Sequence, residues 1–240
     1  MRIFLFLVLA ISFSIGSFAQ GLPDSTVIAI RISRNDSLRL RSYMEAYTYF
    51  RERNRDSAFY YNHLCLQIAR KNSESLMEAV CQVRNSLQLT AIGHYAESLS
   101  ILLEVLQITE RLDSKESTWL VRPELSFQKN RLSVLSDIHY QIAILMHQTL
   151  NYEESKFHFR ELRRLALEIE ENSDRIIDAD IGLVYNHLDE NKIDSAYYLI
   201  TRIEKFAQQA GKKYNKPFIG LHIGYTLFAT GDLDARSNTS

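Results

Sequence analysis

Four small residues, Ala58, Ser98, Ser155 and Ala196, hold the same place in four successive stretches of helical periodicity. They recur about every 40 residues, with one longer interval of about 57, and a fixed period in this range belongs to stacked repeats rather than to a single bundle. Arg236 occupies a degraded fifth position. Twelve residues before each of these anchors stand Ala46, Ser86, Ala143, Val184 and Gly224. Side chains of that size let two helices approach closely. Nine before stand the larger Tyr49, Leu89, Met146, His187 and Leu227, expected to fill the interior of each hairpin. Four after come Asn62, Leu102, Phe159 and Ile200, and seven after come Cys65, Val105, Leu162 and Ile203. The pattern predicts an all-α chain built from helical hairpins.

The periodicity places paired helices at 37–51 and 56–71, 75–92 and 95–112, a first helix ending near 150 with 153–170, and 174–190 with 195–210. Gly93 and Gly211 mark C-terminal stops. A further helix is expected to begin at Pro217 and stop at Gly231. Asp56 and Asp194, each just before a Ser-Ala pair, are expected as N-caps. The long interval holds extra chain at 113–129 with the single tryptophan, Trp119. It reads either as a tethered lead-in to a lengthened helix or as a loop presenting Trp119 to a partner. With 8 glycines and 3 prolines, the composition suits long helices better than a turn-rich sheet.

Residues 86–106, with Gly93, Tyr95 and Ser98 in the Gly, Tyr and Ala slots, resemble the tetratricopeptide repeat (TPR), and 184–203 is the next best segment. The resemblance spans 37–236, with a period longer than the usual ~34 residues. The family's terminating proline is absent, and Asn62 and His187 stand in apolar slots. It implies an α-solenoid of TPR-like hairpins, four full repeats plus a partial fifth, in a domain over 37–236. A lead-in at 20–36 and a disordered tail at 237–240 would flank it. In such a stack the first helices line a groove. The implied partner-binding positions are Tyr43, Tyr47, Leu87, Tyr140, Ile144, Tyr185 and Tyr225, with Val83, Ile181 and Leu221 beside them. All are apolar or aromatic, so they suit an extended or helical apolar segment of protein or peptide. They lack the Lys and Asn with which some family members clamp a C-terminal carboxylate. The competing reading is that they pack neighbouring first helices together.

Arg2, the apolar stretch at 3–15 and the small residues Ser17 and Ala19 read as a secretory signal peptide over 1–19, which implies export to a periplasmic or extracellular compartment. No later apolar run approaches about 18 residues, so no membrane span is expected in the mature chain. With 28 basic and 29 acidic residues intermixed and a net charge of −1, nucleic-acid binding has no electrostatic support. Cys65 and Cys81 are expected as small core residues, with a disulfide as the alternative in an oxidising compartment. His139 and His147, eight residues apart on one helix, cannot share an ion. No metal, nucleophile or phosphate-loop motif is present, so no cofactor and no enzymatic activity are expected. The basic run at 160–164 reads as a solvated face. The helix at 217–231 is apolar on more than one face, so further chain is expected beyond it. Signal peptide and repeats together resemble the extracytoplasmic input regions of bacterial sensor histidine kinases. That implies the recognition part of a longer signalling protein. The alternative is an envelope-assembly adaptor, and a homodimer is left open.

Overall fold

The computed structural model describes residues 21–114, 117–169, 173–210 and Gly224. These form nine helices and no strand: α1 (Asp24–Ile32), α2 (Asp36–Phe50), α3 (Arg55–Lys71), α4 (Ser75–Ala91), α5 (Tyr95–Arg111), α6 (Phe127–Gln148), α7 (Tyr152–Ile169), α8 (Ser173–Asp189) and α9 (Ile193–Ala210). The boundaries expected from periodicity hold to within about two residues. The signal peptide, the helix expected at 217–231 apart from Gly224, and the tail lie outside the described residues. Among the described residues no helix is long and apolar enough to cross a membrane.

The chain divides after Cys65 into two compact units. In the first, the expected lead-in contains a helix, α1, which packs on α2. Thr26 of α1 is buried, and Val27, Ala29 and Ile30 are half-buried. Asn35 caps α2 by accepting from the Leu38 N–H at 2.8 Å. Tyr61 of α3 lies against Tyr43 and stacks on Phe50, with centroids at 6.0 and 5.7 Å. The Ser57 N–H donates to Asn54 Oδ1 at 2.9 Å. Asn54 is therefore the N-cap of α3, and Asp56 lies within its first turn. Asp194 likewise sits inside α9, which begins at Ile193. Both carboxylates face the positive end of a helix dipole from inside the first turn instead of capping it.

In the second unit α4 pairs with α5, α6 with α7, and α8 with α9. The first helices α6 and α8 also pack on the preceding second helix, α5 and α7, and on the preceding first helix, α4 and α6. This is the solenoid arrangement of helical hairpins. The anchors Ala58, Ser98, Ser155 and Ala196 are all 0% exposed. In the two serine hairpins the contact is a hydrogen bond. Ser98 Oγ donates to the Ser86 carbonyl at 2.9 Å and Ser155 Oγ to the Ala143 carbonyl at 2.8 Å. A buried hydroxyl needs an acceptor, and the carbonyl twelve residues earlier supplies it, so Ala and Ser are interchangeable in this slot. Cys65 and Cys81 are buried thiols and form no disulfide.

The hairpin turns repeat as closely as the helices. Gly93, Leu150 and Asn191, each five residues before an anchor, have φ of 84°, 63° and 57°. The next residue's N–H reaches back five positions, His94 to Leu89, Asn151 to Met146 and Lys192 to His187, at 2.7–2.9 Å. That is a Schellman stop, which favours glycine at the left-handed residue. Leu150 is 70% exposed, so its side chain adds little burial in return for the strained φ. Leu150→Gly is expected to raise unfolding free energy by about 0.5–1 kcal/mol, relief of the left-handed strain less the added backbone entropy. A urea midpoint unchanged or lowered would show the turn unstrained.

The extra chain of the long interval is a tethered lead-in to α6. Leu112 and Leu125 are buried, and Leu120, Val121 and Phe127 pack on the core. The buried Asn130 side chain accepts from the Arg122 N–H at 2.8 Å and donates to the Arg122, Leu125 and Ser126 carbonyls. The Glu74 carboxylate holds the other end, accepting from Ser117 Oγ, from Thr118 N–H and Oγ1, and from the Trp119 N–H. Trp119 is half-buried and its backbone is pinned, so it is not the tip of a projecting loop.

Candidate functional site: the first-helix face

Within the second unit the expected groove positions lie on α4, α6 and α8. Val83 and Ile181 are buried and serve as packing between helices. Leu87 is exposed, while Tyr140, Ile144 and Tyr185 are half-buried. Those last three pack on the cluster centred on Ala143, Phe159 and Ala196 and keep part of their surface open. Tyr140 presents its ring edge-on to Phe159, with centroids 6.3 Å apart. In the first unit Tyr47 is buried and Tyr43 is half-buried against Tyr61. Tyr47 is thus core, contrary to its place among the groove residues. Tyr225 and Leu221 lie outside the described residues.

Motif reading missed a charged cluster beside Tyr140. Arg175 of α8 ion-pairs with Asp137 of α6 and, at 3.3 Å, with Asp178 one turn further along α8. Its guanidinium lies 5.0 Å from the centroid of the Tyr140 ring, within cation–π range. Lost hydration pushes the carboxyls of Asp137 and Asp178 above the ordinary range, with Arg175 pulling both back. Burial, and then the charge of Asp178, pushes the Tyr140 hydroxyl up, so it stays a neutral donor. Asp137 and Asp178 hold equivalent places one repeat apart, each three residues before a groove position. The face therefore offers aromatic surface flanked by fixed donors and acceptors, which suits a polypeptide surface better than a small apolar molecule.

Two histidines on different helices, His139 of α6 and His158 of α7, also meet. His139 Nδ1 and His158 Nδ1 are 2.8 Å apart and buried, so one ring must donate and the other accept. Burial and the neighbouring His158 lower the His139 pKa to about 4. Burial also lowers His158, although Glu154 draws it back. Both rings are neutral near pH 7. Their facing nitrogens are spent on each other. Among the described residues no group of three or more His, Cys, Asp or Glu is placed to hold a metal ion. The pair lines a groove between α5 and α7 that includes Arg131, Glu161 and Glu168.

The sequence matches no protein-family model and no curated protein.

Proposed function

We propose that this chain is a non-catalytic, extracytoplasmic module of TPR type that recognises protein or peptide through its first-helix face, as the input part of a longer signal-transduction protein. One observation carries the recognition half of this reading. Ile144 and Tyr185 hold equivalent places on successive first helices, and both keep accessible surface, as does Tyr140, while Ile181, the counterpart of Tyr140, is buried. A residue needed only for packing would be expected to lose its exposure as Ile181 does. Tyrosines with apolar bodies and polar tips are the side chains most often found to dominate interfaces. The export signal at 1–19 and the resemblance to sensor input regions support the compartment and the signalling role.

Replacing either tyrosine tests the reading. Tyr140→Ala and Tyr185→Ala are each expected to weaken capture of the envelope partner about tenfold, with far-UV circular dichroism unchanged. Photo-crosslinking residues at 140 and 185 should label the same polypeptide. A fall in melting temperature with capture undiminished would assign both side chains to packing alone.

A further inference from the structure

The second helices carry a groove of different chemistry. Between α7 and α9, with α8 as floor, lies a depression of about 670 Å³. Four arginines line it: Arg160, Arg163 and Arg164 from α7 and Arg202 from α9. Leu183, Leu199 and the two-thirds-exposed Tyr198 add apolar surface, and Asp194 is its one lining carboxylate.

The positive charge is only partly answered from within. Asp180, 3% exposed, pairs with both Arg163 at 3.2 Å and Arg202 at 2.5 Å, one carboxylate between two guanidiniums. Arg164 is taken up by Glu161 and Glu168. Arg160 is exposed and makes no ion pair among the described residues. His187 also lines the groove, and its buried Nδ1 makes no hydrogen bond. Burial holds its pKa below the ordinary range, and the charges of Lys156, Lys192 and Arg160 add to that lowering against Glu190. The positive charge left open in the groove is thus that of Arg160 and of Arg163 and Arg202, which share one carboxylate, set against Asp194 and beside an apolar floor.

We propose that this groove is a second binding surface, taking an acidic peptide segment. Its carboxylates would meet Arg160 and the outer edges of Arg163 and Arg202, and an apolar side chain would settle on Leu183 and Leu199. Charge complementarity selects the sign of the ligand, because a basic segment would face the unpaired Arg160 and two guanidiniums that share one carboxylate. The leucines select its body: a small inorganic anion would use the arginines and leave that floor in water. Guanidinium forks suit carboxylates through paired hydrogen bonds.

The test uses the full chain and a fluorescein-labelled hexapeptide, Glu-Leu-Glu-Glu-Leu-Glu, read by anisotropy. Two controls replace its glutamates by lysine or its leucines by serine. Binding of the acidic peptide is expected, weakening about tenfold in Arg160→Glu and several-fold in Tyr198→Ala, and falling as salt rises. Both side chains are exposed, so neither variant threatens folding. Tyr140→Ala should leave this binding intact, which separates it from recognition on the first-helix face. Failure of the acidic peptide to bind, equal binding of the lysine peptide, or equal binding by Arg160→Glu would overturn the proposal. So would full retention of affinity by the serine peptide with displacement by inorganic phosphate, which would mark a simple anion site.

Discussion

Phe159→Ala is expected to lower unfolding free energy by about 3–5 kcal/mol, enough to unfold a marginal solenoid at room temperature. Phe159 is 1% exposed and stands four residues after the Ser155 anchor. Its ring fills the space above Gly182 of the next repeat's first helix. A Cβ added to Gly182 would meet the ring Cζ at 2.2 Å. The two residues are therefore one packing unit spanning two hairpins. Gly182→Ala should cost about 1–3 kcal/mol through overpacking, although alanine is by about 1 kcal/mol the better helix former. In the Phe159→Ala background the clash is gone, so the same glycine change should become neutral or stabilising. A double-mutant cycle read by urea unfolding measures this coupling. Additive effects would mean that the ring does not rest on the glycine.

Phe159 and Gly182 also show which parts of the fold could be read in advance. The anchors and their partners twelve residues earlier were legible because residue size at a fixed helical spacing is a local property. Burial of Ala58, Ser98, Ser155 and Ala196 at 0% bears out that register. Gly93 announced its turn because glycine is the usual left-handed residue. Leu150 and Asn191 adopt the same φ without that signal, so the identity of the three turns was hidden. Asp56 and Asp194 suggest caps by residue type alone. Helix starts shift by a residue or two, and Asn54 held the capping geometry.

The candidate sites were less legible, for a physical reason. Arg175 reaches Asp137 across 38 residues and His139 reaches His158 across 19. Spacing within one helix cannot express a pairing made between two helices. The run at 160–164 read as a solvated face, and for Arg164, tied to Glu161 and Glu168, it is one. Arg163 instead turns toward Asp180, which Arg202 also approaches from α9. The groove pattern was half legible. Positions there lie on the border between the inner face and the packing between first helices. Small rotations therefore sort Tyr140 and Tyr185 to one side and Val83 and Ile181 to the other.

The same inter-layer logic makes Glu74 the most consequential polar residue. Glu74→Ala is expected to destabilise the protein by about 3 kcal/mol and to release the 117–119 segment. It removes a 5%-exposed carboxylate that accepts four hydrogen bonds, from Ser117, twice from Thr118 and from Trp119, at 2.5–2.9 Å. Hydrogen bonds to a charged acceptor contribute more than neutral ones, and the stranded donors lose an acceptor that water must replace. Burial works to raise the Glu74 pKa, but the bonds from Thr118, Trp119 and Ser117 outweigh it and hold the group below its ordinary value. The unfolded chain therefore takes up the proton first. The stabilisation is complete above the unfolded pKa of about 4.3 and is lost as pH falls through the lower folded value. The lone tryptophan reports the event, since its own N–H is one of the donors. Trp119 emission should shift on acidification below about pH 4 in the native chain and stay flat in Glu74→Gln, which keeps the shape without the titration. The His139–His158 pair loses stability over a higher window, from the ordinary histidine range down to about 4, and does so equally in both proteins. Equal acid shifts in both proteins would place the anchorage on Asn130 and Leu125 instead.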